Sequence, residues 1–289
     1  MDYLQRAIEK AREQREGSIG NTPAPGQGVS SPNGNESTAP QREKALAPGM
    51  GVMDSRASRR RESVRVDYTR TRTIKLDKSR LARNRVIAAE SEDARVESYR
   101  QLRSHVLSKM KRGGWRTLAI TSPHEGAGKT LTAINLAVSI SQEVNQTVML
   151  VDVDLRNPSI HRTLGVEIDK GIVDHLTNGE PLENILFNPG YPRLVILPGL
   201  PQELNASELL SSPAMNNFMS EIIGRYPDRI IIFDLPPLLR NDDAMVFAPS
   251  VDSCLLVVED GENRPDEIKR CLKLLKDEPL MGVILNKVR

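Results

Sequence analysis

The run Ser122-Pro-His-Glu-Gly-Ala-Gly-Lys-Thr130 follows an apolar stretch, Arg116-Thr-Leu-Ala-Ile-Thr121, and opens a helical pattern over 129–142. A phosphate held at such a junction needs backbone N–H donors turned inward. Gly126 and Gly128 allow that turn, because glycine takes positive φ without a Cβ clash. The helix that follows presents free N–H groups and the positive end of its dipole. Lys129 can reach the β and γ phosphates, and the Thr130 hydroxyl suits Mg²⁺. Gly126, Ala127, Gly128, Lys129, Thr130 and Leu131 are therefore the candidate nucleotide-binding residues, with ATP and Mg²⁺ as the implied cofactors. The pattern departs from its usual form once: the glycine expected five residues before Gly128 is Pro123.

Working outward, short apolar runs recur at 116–121, 147–152, 193–197, 229–234, 254–259 and 281–285. Each is continuously apolar, as expected of strands covered on both faces. Helical patterns at about 129–142, 206–224 and 264–276 separate most of them. This alternation predicts an α/β fold, a parallel doubly wound sheet of the P-loop NTPase kind flanked by helices, with ligands at the carboxyl ends of the strands. Two further strand ends carry acids. Val148-Met-Leu-Val-Asp152-Val-Asp154-Leu-Arg156 places two carboxylates on one side, and Ile230-Ile-Ile-Phe-Asp234-Leu-Pro-Pro237 ends a strand on a third. Carboxylates this close are costly unless a cation offsets them, a role open to Lys129 and Mg²⁺. Lys129, Asp152, Asp154 and Asp234 are the candidate catalytic residues, and Thr130, Asp154 and Asp234 the candidate metal-side residues.

The rest of the chain is less apolar. Of 289 residues 38% are hydrophobic, and nearly all the strand-like runs lie after Arg116. Residues 2–16 read as a short amphipathic helix, with Leu4, Ala7, Ile8 and Ala11 on one face. Residues 17–75 read as a flexible linker, first rich in Gly, Pro, Ser, Asn and Thr, then basic from Arg59 to Arg72. Residues 76–289 are the expected nucleotide-binding domain, with a helix over about 92–111 before its first strand. Cys254 and Cys271 read as buried thiols in a reducing compartment. No apolar stretch approaches the ~20 residues of a membrane span, and no signal core opens the chain, so a cytoplasmic protein is expected.

Together the three acidic and glycine-rich motifs resemble the bacterial tyrosine kinases that regulate capsule and exopolysaccharide synthesis. Those carry a phosphate loop, an Asp-x-Asp-x-Arg strand end and an Asp-x-Pro-Pro strand end. Glu97-Ser-Tyr-Arg100-Gln-Leu-Arg103 is similar to the family's Glu-x-x-Arg-x-x-Arg helix, and Asn205-Ala-Ser-Glu208-Leu-Leu to its Asn-Pro-Ser-Glu-Leu-Leu stretch, with Ala206 for Pro. Asn286-Lys287 resembles the Asn-Lys pair of the final strand. The N-terminal helix, the linker and Ile74-Lys-Leu-Asp77 with Arg80-Leu81 further resemble autokinases found beside exosortase-linked polysaccharide loci. The resemblance covers about residues 75–289.

It implies an ATP-dependent protein-tyrosine autokinase that regulates polysaccharide polymerisation and export. It also implies Asn286 at the adenine, Glu97, Arg100 and Arg103 packing subunits into a ring, and a transmembrane polysaccharide copolymerase that recruits the chain to the inner membrane face. A cognate phosphatase would be a further partner; no specific nucleic acid is expected. The chain departs from the family in two ways. The family's C-terminal tyrosine cluster has no counterpart, since the last tyrosine is Tyr226, which leaves Tyr3 and Tyr68 as alternative acceptors. Leu235 replaces the usual small hydroxyl residue. Two alternatives stay open: an ATP-gated oligomerising regulator without tyrosine phosphorylation, and a partition ATPase of the MinD/ParA type, whose signature lysine position is His124 here.

Overall fold

The computed structural model describes residues 71–90, 93–202, 205–225 and 228–288. The amphipathic segment 2–16 and the linker and basic run up to Arg70 lie outside the described residues. Eight strands form one sheet: β1 (Arg72–Thr73), β2 (Thr117–Thr121), β3 (Thr147–Asp152), β4 (Phe187–Asn188), β5 (Leu194–Leu197), β6 (Arg229–Asp234), β7 (Ser253–Glu259) and β8 (Leu280–Asn286). Their spatial order is β1-β4-β5-β3-β6-β2-β7-β8. Neighbouring strands are parallel except β4 and β5, which run antiparallel with Phe187 opposite Ile196. The expected parallel sheet is thus the central body, and a short reversed pair closes one edge.

The six runs read as strands are strands, and their unbroken hydrophobicity has a structural cause. Side chains alternate between two cores, one on each face. Met149 and Val151 of β3 and Ile231 and Phe233 of β6 enter one core; Val148, Leu150, Ile230 and Ile232 enter the other. Period-two alternation therefore does not appear as polar against apolar.

The second core packs under α3 (Lys129–Ser141), whose residues from Thr132 to Ser141 are all buried. This helix lies between the sheet and α2 (Val96–Gly113), which presents Val106 and Met110 to the same core. Gly114, in the left-handed region at φ 67, ends α2. The stretch read as the end of a linker and a polar approach segment is built into the domain instead. Arg72 and Thr73 pair with Phe187 and Asn188, α1 (Lys78–Arg83) follows, and Leu81, Val86 and Ala88 join the core under α3.

Three short helices follow β3: α4 (Ile160–Leu164), α5 (Ile172–Asn178) and α6 (Leu182–Ile185). The single helix expected over 206–224 is two, α7 (Ala206–Leu210) and α8 (Pro213–Arg225), because Pro213 starts a new helix rather than continuing one. Then come α9 (Asp243–Phe247) and α10 (Pro265–Leu274). Cys254 and Cys271 are free and buried, and burial pushes their thiols up to about 12 and about 11. No helix among the described residues is long and apolar enough to cross a membrane.

Candidate active site

Three strand ends meet the N-terminus of α3. The loop from β2 reaches α3 with positive φ at Gly126 (83°) and Gly128 (94°). Positive φ is confined within this loop to those two glycines, which explains why Pro123 is tolerated where the usual motif has glycine. The loop's start is held from the other side. The amides of Leu238 and Leu239 donate to Ser122 O (2.9 Å) and Pro123 O (3.2 Å), and Thr121 Oγ1 donates to Pro236 O (2.7 Å). The Leu235-Pro-Pro turn after β6 thus braces the phosphate loop, and Leu235 is a core residue at 1% exposure. Glu125 and Arg240 add an ion pair across the same seam.

Within this frame the predicted catalytic and metal-side residues come together. Lys129 Nζ donates to Asp154 Oδ2 at 2.7 Å and lies 3.6 Å from Asp234 Oδ1. Thr130 Oγ1 donates to Asp234 Oδ2 at 2.5 Å, and Ser159 Oγ lies 3.0 Å from the same hydroxyl. Asp152 and Asp234 are direct neighbours in the register of β3 and β6. Asp152 Oδ2 accepts from the amides of Ser159 (2.9 Å) and Ile160 (3.0 Å), so this carboxylate caps α4.

The electrostatics follow from that crowding. Burial, and then the neighbouring Asp234, pushes the Asp152 carboxyl up to about 8. Burial also drives Asp234 upward, to about 6, against the pull of Lys129 and the Thr130 hydroxyl. Desolvation works against the Lys129 ammonium, but Asp234 and Asp154 outweigh it and hold its pKa above the ordinary lysine value. Three buried carboxylates against one ammonium leave surplus negative charge, and Asp152 Oδ1 and Asp234 Oδ1 have no hydrogen-bond partner among the described residues. A divalent cation beside Thr130 and Asp234 fits this donor set.

A cavity of about 330 Å³ opens above, lined by Asn84, Gly126, Lys129, Thr130, Asp154 and Ser159 among others. That is the lower end of the size range of small-molecule sites. Ala127 and Leu131 flank the cradle: the Ala127 carbonyl accepts from Asn286 Nδ2 at 2.8 Å, and Leu131 lines the cavity wall. Asn286 therefore supports the loop directly.

The candidate interface residues divide. Glu97 and Arg100 pair at 3.5 Å on the exposed face of α2. Arg103 instead turns inward, 3.0 Å from Glu143 Oε1 and donating to Ser139 O at 3.1 Å, which ties α2 to the end of α3. His124, at the partition-ATPase lysine position, sits 3.0 Å from Glu267 of α10.

Three contributors escaped the sequence reading. Ser159 lines the cavity, and the Asn157-Pro-Ser159 run just before α4 could have marked it as a helix start. Asn135, fully buried on α3, accepts from the amides of Ile87 and Ala88 and donates to Arg85 O and Leu131 O. Asp243 holds Arg156 through two hydrogen bonds. Nothing in the local sequence marks either of the last two.

Residues 118–289 match the family model described as the CobQ/CobB/MinD/ParA nucleotide binding domain. Tyrosine-protein kinase YwqD of Bacillus subtilis (strain 168) is 30% identical over 210 residues, which cover 72% of this chain and 87% of that protein. Tyrosine-protein kinase CpsD of Streptococcus agalactiae is 32% identical over 176 residues, 60% of this chain and 76% of that protein. Among solved structures, the kinase domain of Escherichia coli tyrosine kinase ETK matches with a TM-score of 0.66 and 28% identity, over 78% of this chain and 85% of that one. With a nucleotide-binding model spanning more than half of its length and kinases matched over most of theirs, this chain belongs to the bacterial tyrosine-protein kinases.

Proposed function

We propose that the chain is an ATP-dependent protein-tyrosine kinase that phosphorylates itself or associated proteins and so regulates the polymerisation and export of a capsule or exopolysaccharide. The observation that carries this reading is Lys129, held 2.7 Å from Asp154 and 3.6 Å from Asp234 directly beneath the Gly126–Gly128 loop. ATP is the phosphoryl donor. Gly126, Ala127, Gly128 and the first amides of α3 bind its phosphates, and Asn286 would contact the adenine, as the resemblance of Asn286-Lys287 implies. Thr130, Asp154 and Asp234 would hold Mg²⁺, which neutralises charge on the phosphate oxygens when bound.

The acceptor phenol oxygen forms a bond to the γ phosphorus as the bond to the β,γ-bridging oxygen breaks, and ADP leaves. Lys129 stabilises the charge that moves onto the bridging oxygen. The phenol proton passes to Asp154, because Asp154 lines the cavity whereas Asp152 is fully buried and committed to the amides of Ser159 and Ile160. Tyr3 and Tyr68 are the candidate acceptors within the chain. Glu97 and Arg100 supply the exposed part of a subunit interface in a ring. A transmembrane copolymerase is the partner that would bring the kinase to the inner face of the membrane, with a phosphatase to reverse the reaction.

The test is incubation of the full chain with labelled ATP and Mg²⁺, with and without a synthetic Glu/Tyr copolymer, followed by acid hydrolysis. Phosphotyrosine that disappears in Lys129→Ala is expected. Nucleotide binding without phosphotyrosine on any acceptor would refute the kinase reading.

A further inference from the structure

Ser159 stands at the head of α4 but does not cap it. A serine at a helix start ordinarily engages a backbone amide of the first turn through its hydroxyl, and here no such bond forms. Asp152 satisfies those amides instead, its Oδ2 accepting from Ser159 N (2.9 Å) and Ile160 N (3.0 Å). The Ser159 hydroxyl points the other way. It donates to Thr130 Oγ1 at 3.0 Å, and Ser159 lines the nucleotide cavity. The approach to it is fixed. Asn157 N donates to Asp154 O (3.1 Å) and Oδ1 (3.2 Å), and Pro158 is buried against Gly199, where an added Cβ would lie 2.8 Å from the proline's own. Asp152 and Asp154 thus aim Ser159 at the site as well as facing it themselves.

A hydroxyl has one proton and two lone pairs. The Thr130 proton goes to Asp234 Oδ2 (2.5 Å), and its oxygen accepts from Ser159 Oγ (3.0 Å) and, more weakly, from Lys129 Nζ (3.4 Å). A metal ion binding at Thr130 takes one of those lone pairs. The Ser159 proton then turns away, which brings a lone pair of Ser159 Oγ toward the same ion. The separation suits this. Mg²⁺ holds its oxygens at about 2.0–2.1 Å in an octahedron, so two adjacent ligands stand about 3 Å apart. Asp152 Oδ1 and Asp234 Oδ1, both fully buried, have no hydrogen-bond partner among the described residues, an independent mark of a missing cation.

We propose that Ser159 is a direct ligand of the divalent cation, a second protein hydroxyl beside Thr130. The inference rests on the reading of Thr130 and Asp234 as the Mg²⁺ site and extends it to a residue outside the three motifs. The cation is then shared between the phosphate loop and the turn that leads into α4, so that seating the metal ties the two together.

The experiment is titration of the full chain with a fluorescent ATP analogue over a range of Mg²⁺ concentrations and in EDTA. Wild-type affinity should rise with Mg²⁺. Ser159→Ala should need about tenfold more Mg²⁺ for half of that rise, with no loss in EDTA, and Ser159→Thr, which keeps the hydroxyl, should behave as wild type. Ser159→Cys tests direct ligation. Sulfur is a soft ligand, so this variant should respond poorly to Mg²⁺ but regain its response with Cd²⁺, as Ser159→Ala should not. Wild-type Mg²⁺ dependence in Ser159→Ala, an equal loss with Mg²⁺ and in EDTA, or Cd²⁺ serving the Ala and Cys variants alike would each overturn the assignment while leaving the Thr130–Asp234 site standing. A wild type whose nucleotide affinity ignores Mg²⁺ would overturn that cation site itself, and this ligand with it.

Discussion

Arg156 grips Asp243 through two parallel hydrogen bonds, Nε to Oδ2 at 2.7 Å and NH2 to Oδ1 at 3.1 Å, and so ties the turn that follows Asp154 to the start of α9. Ser207, from the Asn-x-Ser-Glu stretch that opens α7, places its hydroxyl 2.5 Å from the same Asp243 Oδ1. Arg156 and Ser207, from two separate sequence motifs, thus converge on one buried carboxylate. Asp243→Asn keeps the shape and removes the charge. We expect it to cost about 2 kcal/mol of stability at neutral pH and to lower phosphoryl transfer about tenfold, with the KM for ATP little changed. Burial pushes the Asp243 carboxyl upward, but the hydrogen bonds from Arg156 and Ser207 more than reverse this and hold it below the ordinary aspartate value. A carboxyl held low in the folded state stabilises above its unfolded pKa and loses that contribution as pH falls through the folded one. The stability gap between wild type and Asp243→Asn, measured by urea titration, should therefore be full at pH 7 and shrink below about pH 4.

Lys129 neutralises part of a buried acidic cluster as well as serving the nucleotide. Lys129→Met removes the only ammonium within ion-pair reach of Asp154 and Asp234 among the described residues. Phosphoryl transfer should vanish. The Asp152 and Asp234 carboxyls, already pushed up by burial, should rise further in the variant. A group whose folded pKa is raised gives its full stability at low pH and loses it as pH climbs through that value. The melting temperature of Lys129→Met should thus fall more steeply between pH 5.5 and pH 8 than that of wild type. Parallel pH profiles would show that Asp152 and Asp234 do not share the charge of Lys129.

The site was legible in the sequence because its chemistry is local. Two glycines and a lysine opening a helix, and acids ending apolar strands, each announce themselves within ten residues. What stayed hidden acts over distance. Asp243 meets Arg156 across 87 positions, Ser159 meets Thr130 across 29, and Asn135 meets Ile87 across 48. The reversed edge was hidden for another reason: β1 and β4 have two residues each, too short for any periodicity to register. The Glu97-Arg100-Arg103 spacing placed all three on one helix but could not show that Arg103 turns toward Glu143 while its companions face outward.

Gly128 has φ 94°, and a Cβ built on it would lie 2.2 Å from Asn286 Nδ2. Gly128→Ala therefore meets both backbone strain, about 1–2 kcal/mol, and a steric clash. Titration with a fluorescent ATP analogue should show affinity reduced at least about tenfold. Adding Asn286→Ala should restore part of the loss by removing the clash while leaving the strain. Full restoration would mean that the left-handed turn itself contributes nothing to the cradle.

Arg103 and the Glu97–Arg100 pair should separate in experiment. Arg103→Ala detaches α2 from Glu143 and Ser139 and should cost about 1–2 kcal/mol in denaturant unfolding. Glu97→Ala/Arg100→Ala removes an exposed pair worth a few tenths of a kcal/mol and should leave stability unchanged. If α2 is a subunit interface, light scattering should show the exposed double variant losing oligomer mass while its melting temperature holds. An unaltered oligomer would remove these two residues from the interface.

Asn135 gives the last and sharpest test of how the domain is held together ahead of its first central strand. Its carboxamide accepts from the amides of Ile87 (2.8 Å) and Ala88 (2.9 Å) and donates to Arg85 O and Leu131 O (3.0 Å each). Asn135 is fully buried, and so are its two bonds to the Ile87 and Ala88 amides. Asn135→Ala leaves two buried N–H donors unpaired and should cost about 3 kcal/mol. The loss reaches the site, because Leu131 follows Thr130 and Asn84 lines the cavity beside the tethered segment. Hydrogen exchange should therefore quicken at Ile87 and Ala88 first, and nucleotide affinity should fall with it. Asn135→Asp keeps the acceptor for both amides but loses the two donations, so it should protect Ile87 and Ala88 while still weakening the hold on Arg85. Equal exchange at both sites in the two variants would show that the segment is held by Leu81 and Val86 packing alone.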